Sequence, residues 1–362
     1  DFGYKHGMWT LLLACAAPED PELAWVSPDQ PGAYDVGRQT WTWTDDRGKE
    51  LTAEVWYPAT VGPDVVPLPY EPFLMALDAH YKAPMVTRDA PWPVVAFSHG
   101  YGAIRFQSAF LTEHLASHGF VVVAVDHNHN TLLDLDEDQD VSVFLERPQD
   151  VIASVDRLAQ DPDFGPVVDT EQYAVVGHSF GAWTTLVVGG GQLDFSGIEA
   201  HCETYGGRAC KAVSKLSVDD LPEGLPDDPR AVVSVPMSPG IWYAFGPQGE
   251  GLETVRAPLV LAGTRDGVLD YEREILPVFD AMAAPKSLAH FTDAGHYHFS
   301  DICLVAPFIT EECDDPAYMD MALAQELTKP LVLGHIGWHL LGDERYEPWA
   351  VGHDLPEGVW VE

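Results

Sequence analysis

The run Tyr173-Ala174-Val175-Val176-Gly177-His178-Ser179-Phe180-Gly181-Ala182 stops an apolar, β-type segment at a serine held between two glycines, then continues as a helix-forming stretch. A serine hydroxyl is a weak nucleophile until a base takes its proton, and that base needs a carboxylate to fix its tautomer and stabilise its cationic form. The spacing G-x-S-x-G meets the steric half of this requirement. A sharp strand-to-helix turn lifts the serine Oγ above the sheet, and side chains at 177 and 181 would collide where strand and helix cross. The pentapeptide recurs by chance in unrelated chains, so its meaning depends on an acid and a base lying where they can reach it.

Both follow in the chain. An apolar run over 258–263 ends at Thr264-Arg265-Asp266-Gly267, and a second over 286–291 ends at Asp293-Ala294-Gly295-His296-Tyr297-His298-Phe299. Serine, then acid, then histidine, each just past a strand, is an order that brings all three to one sheet edge. It assigns Ser179 as nucleophile, Asp266 as acid and His296 as base. His298 is the rival base; His296 is preferred because it follows Gly295 directly at the loop apex, where its imidazole turns back towards the serine. Of the other carboxylates, Asp270 is placed to cap the helix after it, and Asp301 reads as a cap or a supporting group. Asp293 shares the tight loop of His296 and suits backbone N–H groups better. A strand over 93–98 ends at His99-Gly100-Tyr101-Gly102, a loop that aims a backbone N–H at a developing oxyanion. That donor is assigned to Tyr101, and the second to the N–H of Phe180.

These groups need a scaffold that presents strand ends on one side. Strands over 93–98, 120–125, 173–178, 231–235, 258–263 and 286–291 alternate with helices over 105–118, 147–160 and 179–188. Alternation at that interval, with strands that are continuous β-branched runs, predicts an α/β protein with a mostly parallel central sheet and helices on both faces. Together with the serine turn, this is the α/β-hydrolase fold. Residues 40–57 alternate in side-chain character across Asp45-Asp46-Arg47-Gly48 and are expected as an antiparallel hairpin. The proline-rich stretch 58–91 is expected as a surface loop with a short helix over 70–81. Residues 1–30 read as an export segment and tether, 31–362 as a single hydrolase domain, and 189–229 as an insertion where this fold often carries a lid.

With 57 acidic against 19 basic residues, the chain has a formal net charge of −38. This argues against nucleic acid, anionic membrane surfaces and strongly anionic substrates, and for neutral ones. A content of 46% hydrophobic and 11% aromatic residues is enough for a large core. No apolar run approaches the roughly 20 residues of a membrane span. The cysteines fall as Cys15, Cys202 with Cys210, and Cys303 with Cys313. If oxidised, each of the two local pairs adds about 2.5–3 kcal/mol by loop closure and requires maturation outside a reducing cytosol; spacing alone leaves free thiols open. Leu12-Leu13-Ala14-Cys15 resembles a bacterial lipoprotein cleavage box at the end of a short apolar run, which points to export and leaves a lipid anchor at Cys15 open. Asp126-His127-Asn128-His129-Asn130 and the acidic run over 134–140 have metal-ligand residue types. The second lacks the sixth-position glycine and twelfth-position glutamate of a calcium loop, and both are expected as solvated or site-rim loops, with no metal.

Residues 93–126, with Ser98-His99-Gly100-Tyr101-Gly102 and Leu115-Ala116-Ser117-His118-Gly119-Phe120-Val121-Val122, are similar to the platelet-activating-factor acetylhydrolases, the cutinase-like polyester hydrolases and dienelactone-hydrolase-like proteins. The similarity continues through Gly177-His178-Ser179-Phe180-Gly181 and His296-Tyr297-His298-Phe299-Ser300-Asp301. It spans roughly residues 90–305 and is specific for the superfamily rather than for a substrate. The animal acetylhydrolases carry their acid after the strand following the nucleophile helix, where this chain reads Met237-Ser238-Pro239-Gly240. The polyester hydrolases carry it after the next strand, which matches Asp266. The resemblance also implies that Tyr101 and Trp242 line the acyl or aromatic subsite, and His178 and His298 are taken as further substrate contacts.

The expectation is an exported, monomeric serine ester hydrolase that needs no cofactor and acts on a small or polymeric ester of short-acyl or aromatic type. An acetylhydrolase on phospholipid-type esters, a peptidase or amidase on the same fold, and an inactive binding module are the alternatives. An intact serine, acid and histidine in the required order weighs against the last.

Overall fold

The structure, a computed structural model, describes residues 25–362 except 63–64, 72–74, 76, 208, 217–226, 353–354 and 357. The cleavage-box resemblance and Cys15 lie outside the described residues. Ten strands are described: β1 (Asp35–Thr44), β2 (Glu50–Ala59), β3 (His80–Tyr81), β4 (Trp92–Ser98), β5 (Val121–Val125), β6 (Val168–His178), β7 (Ala231–Met237), β8 (Leu259–Gly263), β9 (Ser287–Phe291) and β10 (Val359–Val361). They form one sheet in the order β10-β9-β8-β7-β6-β4-β5-β2-β1-β3. From β5 to β9 neighbours run parallel, whereas β2 is antiparallel to both β1 and β5, and β10 is antiparallel to β9.

Every residue of β4 and β5 is buried because helices cover both faces of the sheet. Val95, Phe97, Val122 and Val176 pack with Leu111 and Leu115 of α1 (Ala109–Ser117) and with Leu331, Val332 and Ile336 of α8 (Met321–Leu341). The alternate residues Val94, Ala96, Val121 and Val175 meet Val151, Val155 and Leu158 of α2 (Asp140–Gln160). Further along that side, Trp183 and Leu186 of α3 (Phe180–Val188) share a cluster with Val260 of β8 and Val278 of α6 (Leu276–Ala281). Parallel strands end on one edge, so the residues after β4, β6, β8 and β9 are gathered there by topology alone.

Several elements depart from the sequence expectation. No helix occupies the described part of 70–81; Tyr70 bridges to Met75, and His80–Tyr81 forms β3. The Tyr70 hydroxyl accepts from Trp56 and donates to buried Glu113, so tertiary anchoring overrides local propensity. Helix α2 begins at Asp140 rather than near 147, because Asp136 caps the preceding turn through the N–H of Asp138 and the acidic run becomes a helix start. Strand β10 and α8, capped by Asp320 and closed at Gly342 with φ 65°, were not foreseen.

The expected tether is docked over its last residues: His114 and His118 donate to the carbonyls of Pro28 and Gln30, and the ring of Trp25 meets Tyr346 edge-on. Within 189–229, α4 (Ile198–Tyr205) and α5 (Cys210–Val213) are joined by a Cys202–Cys210 disulfide. A second disulfide, Cys303–Cys313, links α7 (Ile302–Val305) to the turn after it.

Candidate active site

Ser179 has φ 59° and ψ −117°, a left-handed conformation that β6 and α3 impose on the turn between them. A Cβ at Gly181 would lie 1.9 Å from the Ser98 carbonyl oxygen, and one at Gly177 2.2 Å from that of Gly181. Only glycine lets the nucleophile turn close against β4.

The structure brings Ser179, His296 and Asp266 into contact. Nε2 of His296 lies 2.8 Å from Ser179 Oγ, and Nδ1 lies 2.6 Å from Asp266 Oδ2. The other oxygen of Asp266 accepts the N–H groups of Val268 and Leu269 at 2.8 and 2.7 Å. Burial pushes the Asp266 carboxyl up, but His296 and these two donors overcome it and hold the group below the ordinary carboxylate range. Asp270 caps the following turn through Glu272 and Arg273, Asp293 is exposed, and Asp301 accepts the N–H of Phe110 at the start of α1. None of these three touches an imidazole nitrogen of His296 in the described contacts.

Tyr101 and Phe180, the residues expected to supply the oxyanion donors, line the same cavity, of about 750 Å³, as Ser179 and His296. No protein acceptor is described for the N–H of Tyr101 or Phe180. The Tyr101 ring is exposed at the mouth, with its hydroxyl donating to Asp140 at 3.0 Å. Phe144, Phe180 and Trp183 give the cavity an aromatic lining, to which Tyr205, Ala209 and Ala212 of the insertion add one further ring and two small side chains.

Three expected substrate contacts are placed otherwise. Trp242 does not line this cavity: its indole N–H donates to the Arg273 carbonyl and its ring packs edge-on against His201, leaving Ile241 at the wall. His298 is fully buried, with Nδ1 accepting from the N–H of Gly295 and Nε2 donating to the Met319 carbonyl, so it braces the loop instead of meeting substrate. His178 borders the cavity but commits both ring nitrogens to protein, to Gln107 and to the His296 carbonyl.

Among the described residues, no cluster of three or more His, Cys, Asp or Glu side chains is arranged to hold a metal ion. Asp126 is paired with Arg105, and His127 with Ser98 and Asp150. Three supporting residues were missed in the sequence. Arg147, wholly buried, donates to the His99 carbonyl, to Asn130 and to Thr184, and its guanidinium lies 4.4 Å from the centre of the Phe180 ring. Burial pulls Arg147 down to about 9, with Asp150 opposing. Its signal was a charge, with Asp150 nearly one turn on, on a face that also carries Val143, Phe144, Val151 and Val155. Glu312 receives the N–H groups of His296 and Tyr297, and Gln107 joins Gly100 to His178; neither stands out by residue type or spacing.

A strand-ordered sheet of this kind with a serine at its central turn is the α/β-hydrolase fold. Residues 73–134 match the family model described as platelet-activating factor acetylhydrolase, isoform II. Over 94 residues the chain is 35% identical to cutinase 2 of Thermobifida cellulosilytica, covering 25% of this chain and 32% of the relative, and to cutinase est1 of Thermobifida alba, covering 25% and 28%. The match thus spans about a third or less of these relatives. A ferulic acid esterase from Streptomyces cinnamoneus has the same fold, with a TM-score of 0.59 at 20% identity, over 86% of this chain and 91% of that one. The sequence matches are therefore local, to a family model and to relatives described as cutinases, and the likeness to the solved esterase is one of fold.

Proposed function

We propose that this protein is an exported serine ester hydrolase working through an acyl-enzyme. The observation that carries the reading is the unbroken contact from Ser179 Oγ through both nitrogens of His296 to Asp266, at 2.8 and 2.6 Å. Asp266 keeps the proton of the resting imidazole on Nδ1, leaving Nε2 free to take the serine proton as Oγ attacks the ester carbonyl. The N–H groups of Tyr101 and Phe180 receive the oxyanion. His296 then returns the proton to the departing alcohol, and water, activated in the same way, releases the acid. No cofactor enters these steps.

Substrates are neutral esters with a short acyl or aromatic group, free or in a polymer. Supporting this are the aromatic side chains Phe144, Phe180 and Trp183 of the cavity, and a lining in which the carboxylates of Glu137, Asp140 and Asp270 outnumber the cations Lys211 and Arg273, which disfavours anionic ligands. The two disulfides support export, and no described helix is long and apolar enough to cross a membrane. Residues 31–362 act as one catalytic domain, with the disulfide-closed insertion as a wall of the substrate cavity.

The test is a fluorophosphonate label with a panel of p-nitrophenyl esters of rising chain length. Covalent labelling and hydrolysis should both vanish in Ser179→Ala, with acetyl to butyryl esters preferred over long chains. Persistence of either in the variant would remove Ser179 from the role.

A further inference from the structure

We propose that Gln107 and His178 are positioning residues that lock the oxyanion loop, the nucleophile turn and the loop of the general base to one another; this rests on the esterase reading above. Gln107, just before α1, is in contact with all three. Its Oε1 accepts the N–H of Gly100 at 2.6 Å, its Nε2 donates to Nδ1 of His178 at 2.6 Å, and its backbone carbonyl accepts the N–H of Asp301 at 2.7 Å. Nε2 of His178 then donates to the carbonyl of His296 at 2.8 Å.

The directions in this chain are determined, not chosen. A backbone N–H only donates, so the Gln107 oxygen must face Gly100 and its amide nitrogen must face His178. Nδ1 of His178 is then an acceptor without a proton, and the proton sits on Nε2, where a carbonyl awaits it. Each donor meets one acceptor from Gly100 to His296.

The geometry gives this chain leverage on catalysis. Gly100 directly precedes Tyr101, the expected oxyanion donor, and a Cβ on it would lie 3.4 Å from that of Ser179. His178 directly precedes Ser179. A shift of one ångström in the oxyanion loop relative to the serine costs on the order of 10²-fold in rate. His178 is buried, and burial together with the neighbouring His296 pushes it down to about 3, so it remains neutral and keeps accepting from Gln107 while the site works near neutral pH. Gln107 and His178 transfer no proton to substrate.

The experiment uses the full chain with p-nitrophenyl butyrate and compares Gln107→Met, Gln107→Glu, His178→Leu and the Gln107→Met/His178→Leu pair. Gln107→Met should lower kcat by about 10- to 100-fold with KM within about twofold, because transition-state contacts move while binding does not. Gln107→Glu keeps the acceptor for Gly100 but lacks the donor to His178, and should lose less than Gln107→Met. The pair should lose no more than the worse single variant, since one chain is broken once or twice with the same result. Additive losses, or a kcat within twofold of the parent for Gln107→Met, would overturn the proposal. Long-range proton–nitrogen spectra of the parent protein give a readout free of turnover and of variant folding: the His178 proton should be on Nε2, and a proton on Nδ1 would overturn the chain. If hydrolysis by the parent survives Ser179→Ala, the esterase reading falls and this proposal with it. If hydrolysis depends on Ser179 yet Gln107→Met is unimpaired, only this proposal falls.

Discussion

The backbone N–H of His296 donates to Oε1 of Glu312 at 3.1 Å, and the N–H of Tyr297 donates to the other oxygen at 2.8 Å. Glu312 is buried next to Cys313, whose disulfide to Cys303 closes the segment, so a stapled turn holds the loop of the base from behind. The carboxylate also fills the space beside Gly295, where a Cβ would come within 2.3 Å of its carbon. Glu312→Ala and Gly295→Ala should each lower kcat by about tenfold or more with little change in KM. Steady-state kinetics on a p-nitrophenyl ester checks this; an unchanged kcat in Glu312→Ala would mean that the loop keeps its position unaided.

Asp266→Asn should lower kcat by a factor of about 10⁴ with substrate binding nearly intact. The Asn oxygen can still accept from Val268 and Leu269, which turns the NH₂ towards Nδ1 and forces the imidazole into the tautomer that cannot take the serine proton. Asp270→Asn, a cap removed from the imidazole, should stay within about threefold. A small loss at Asp266 with a large one at Asp270, Asp293 or Asp301 would move the acid's role.

The edge residues of the sheet were legible because their signal is local: an apolar run, then Gly-x-Ser-x-Gly, Asp266 or Gly-His, in an order that the topology demands. The hairpin of β1 and β2 and the parallel core strands were legible for the same reason, through period and β-branching. What escaped was decided by distant partners. Tyr70 is held by Trp56 and Glu113, Trp242 is turned from the cavity by Arg273 and His201, and His298 by Met319. None of these contacts has a sequence period. Arg147 was readable in principle, with Asp150, as a charge on a helical face that also carries Val143, Phe144, Val151 and Val155, but its partners His99, Asn130 and Thr184 were not.

Peptide mapping without reduction should recover Cys202 joined to Cys210 and Cys303 joined to Cys313, with none of the four alkylated under native conditions. Opening the first bridge should alter substrate preference more than intrinsic reactivity, since Tyr205 and Ala209 beside it line the cavity while the triad lies on other loops. Free thiols at Cys202 and Cys210 in protein purified from an oxidising compartment would undo both the pairing and the argument for export.

Asp301 should make stability depend on pH in a direction opposite to that of a surface carboxylate. It is buried at the start of α1, with Oδ2 on the N–H of Phe110 and Oδ1 without a partner among the described residues. Burial pushes it up to about 7, the nearby Glu113 adds to this, and the backbone donors and Lys329 oppose. Between about pH 4 and pH 7 the folded chain therefore holds a proton that the unfolded chain has released, so stability falls as pH rises and levels off above about 7. An asparagine in its place keeps an acceptor for Phe110 and carries no charge. Asp301→Asn should thus match the parent near pH 4, gain on it through pH 7 and hold a constant advantage above, on the order of a few kcal/mol after relaxation. Three buried histidines, His114, His178 and His335, are each pushed down to about 3 and act in the other sense, adding stability as pH rises towards the ordinary histidine value. They are common to both proteins and cancel in the comparison. Thermal unfolding of parent and variant at pH 4, 5.5, 7 and 8.5 reads the difference directly. A difference in Tm that does not grow between pH 4 and 7 would show that Asp301 is ionised in the folded protein throughout.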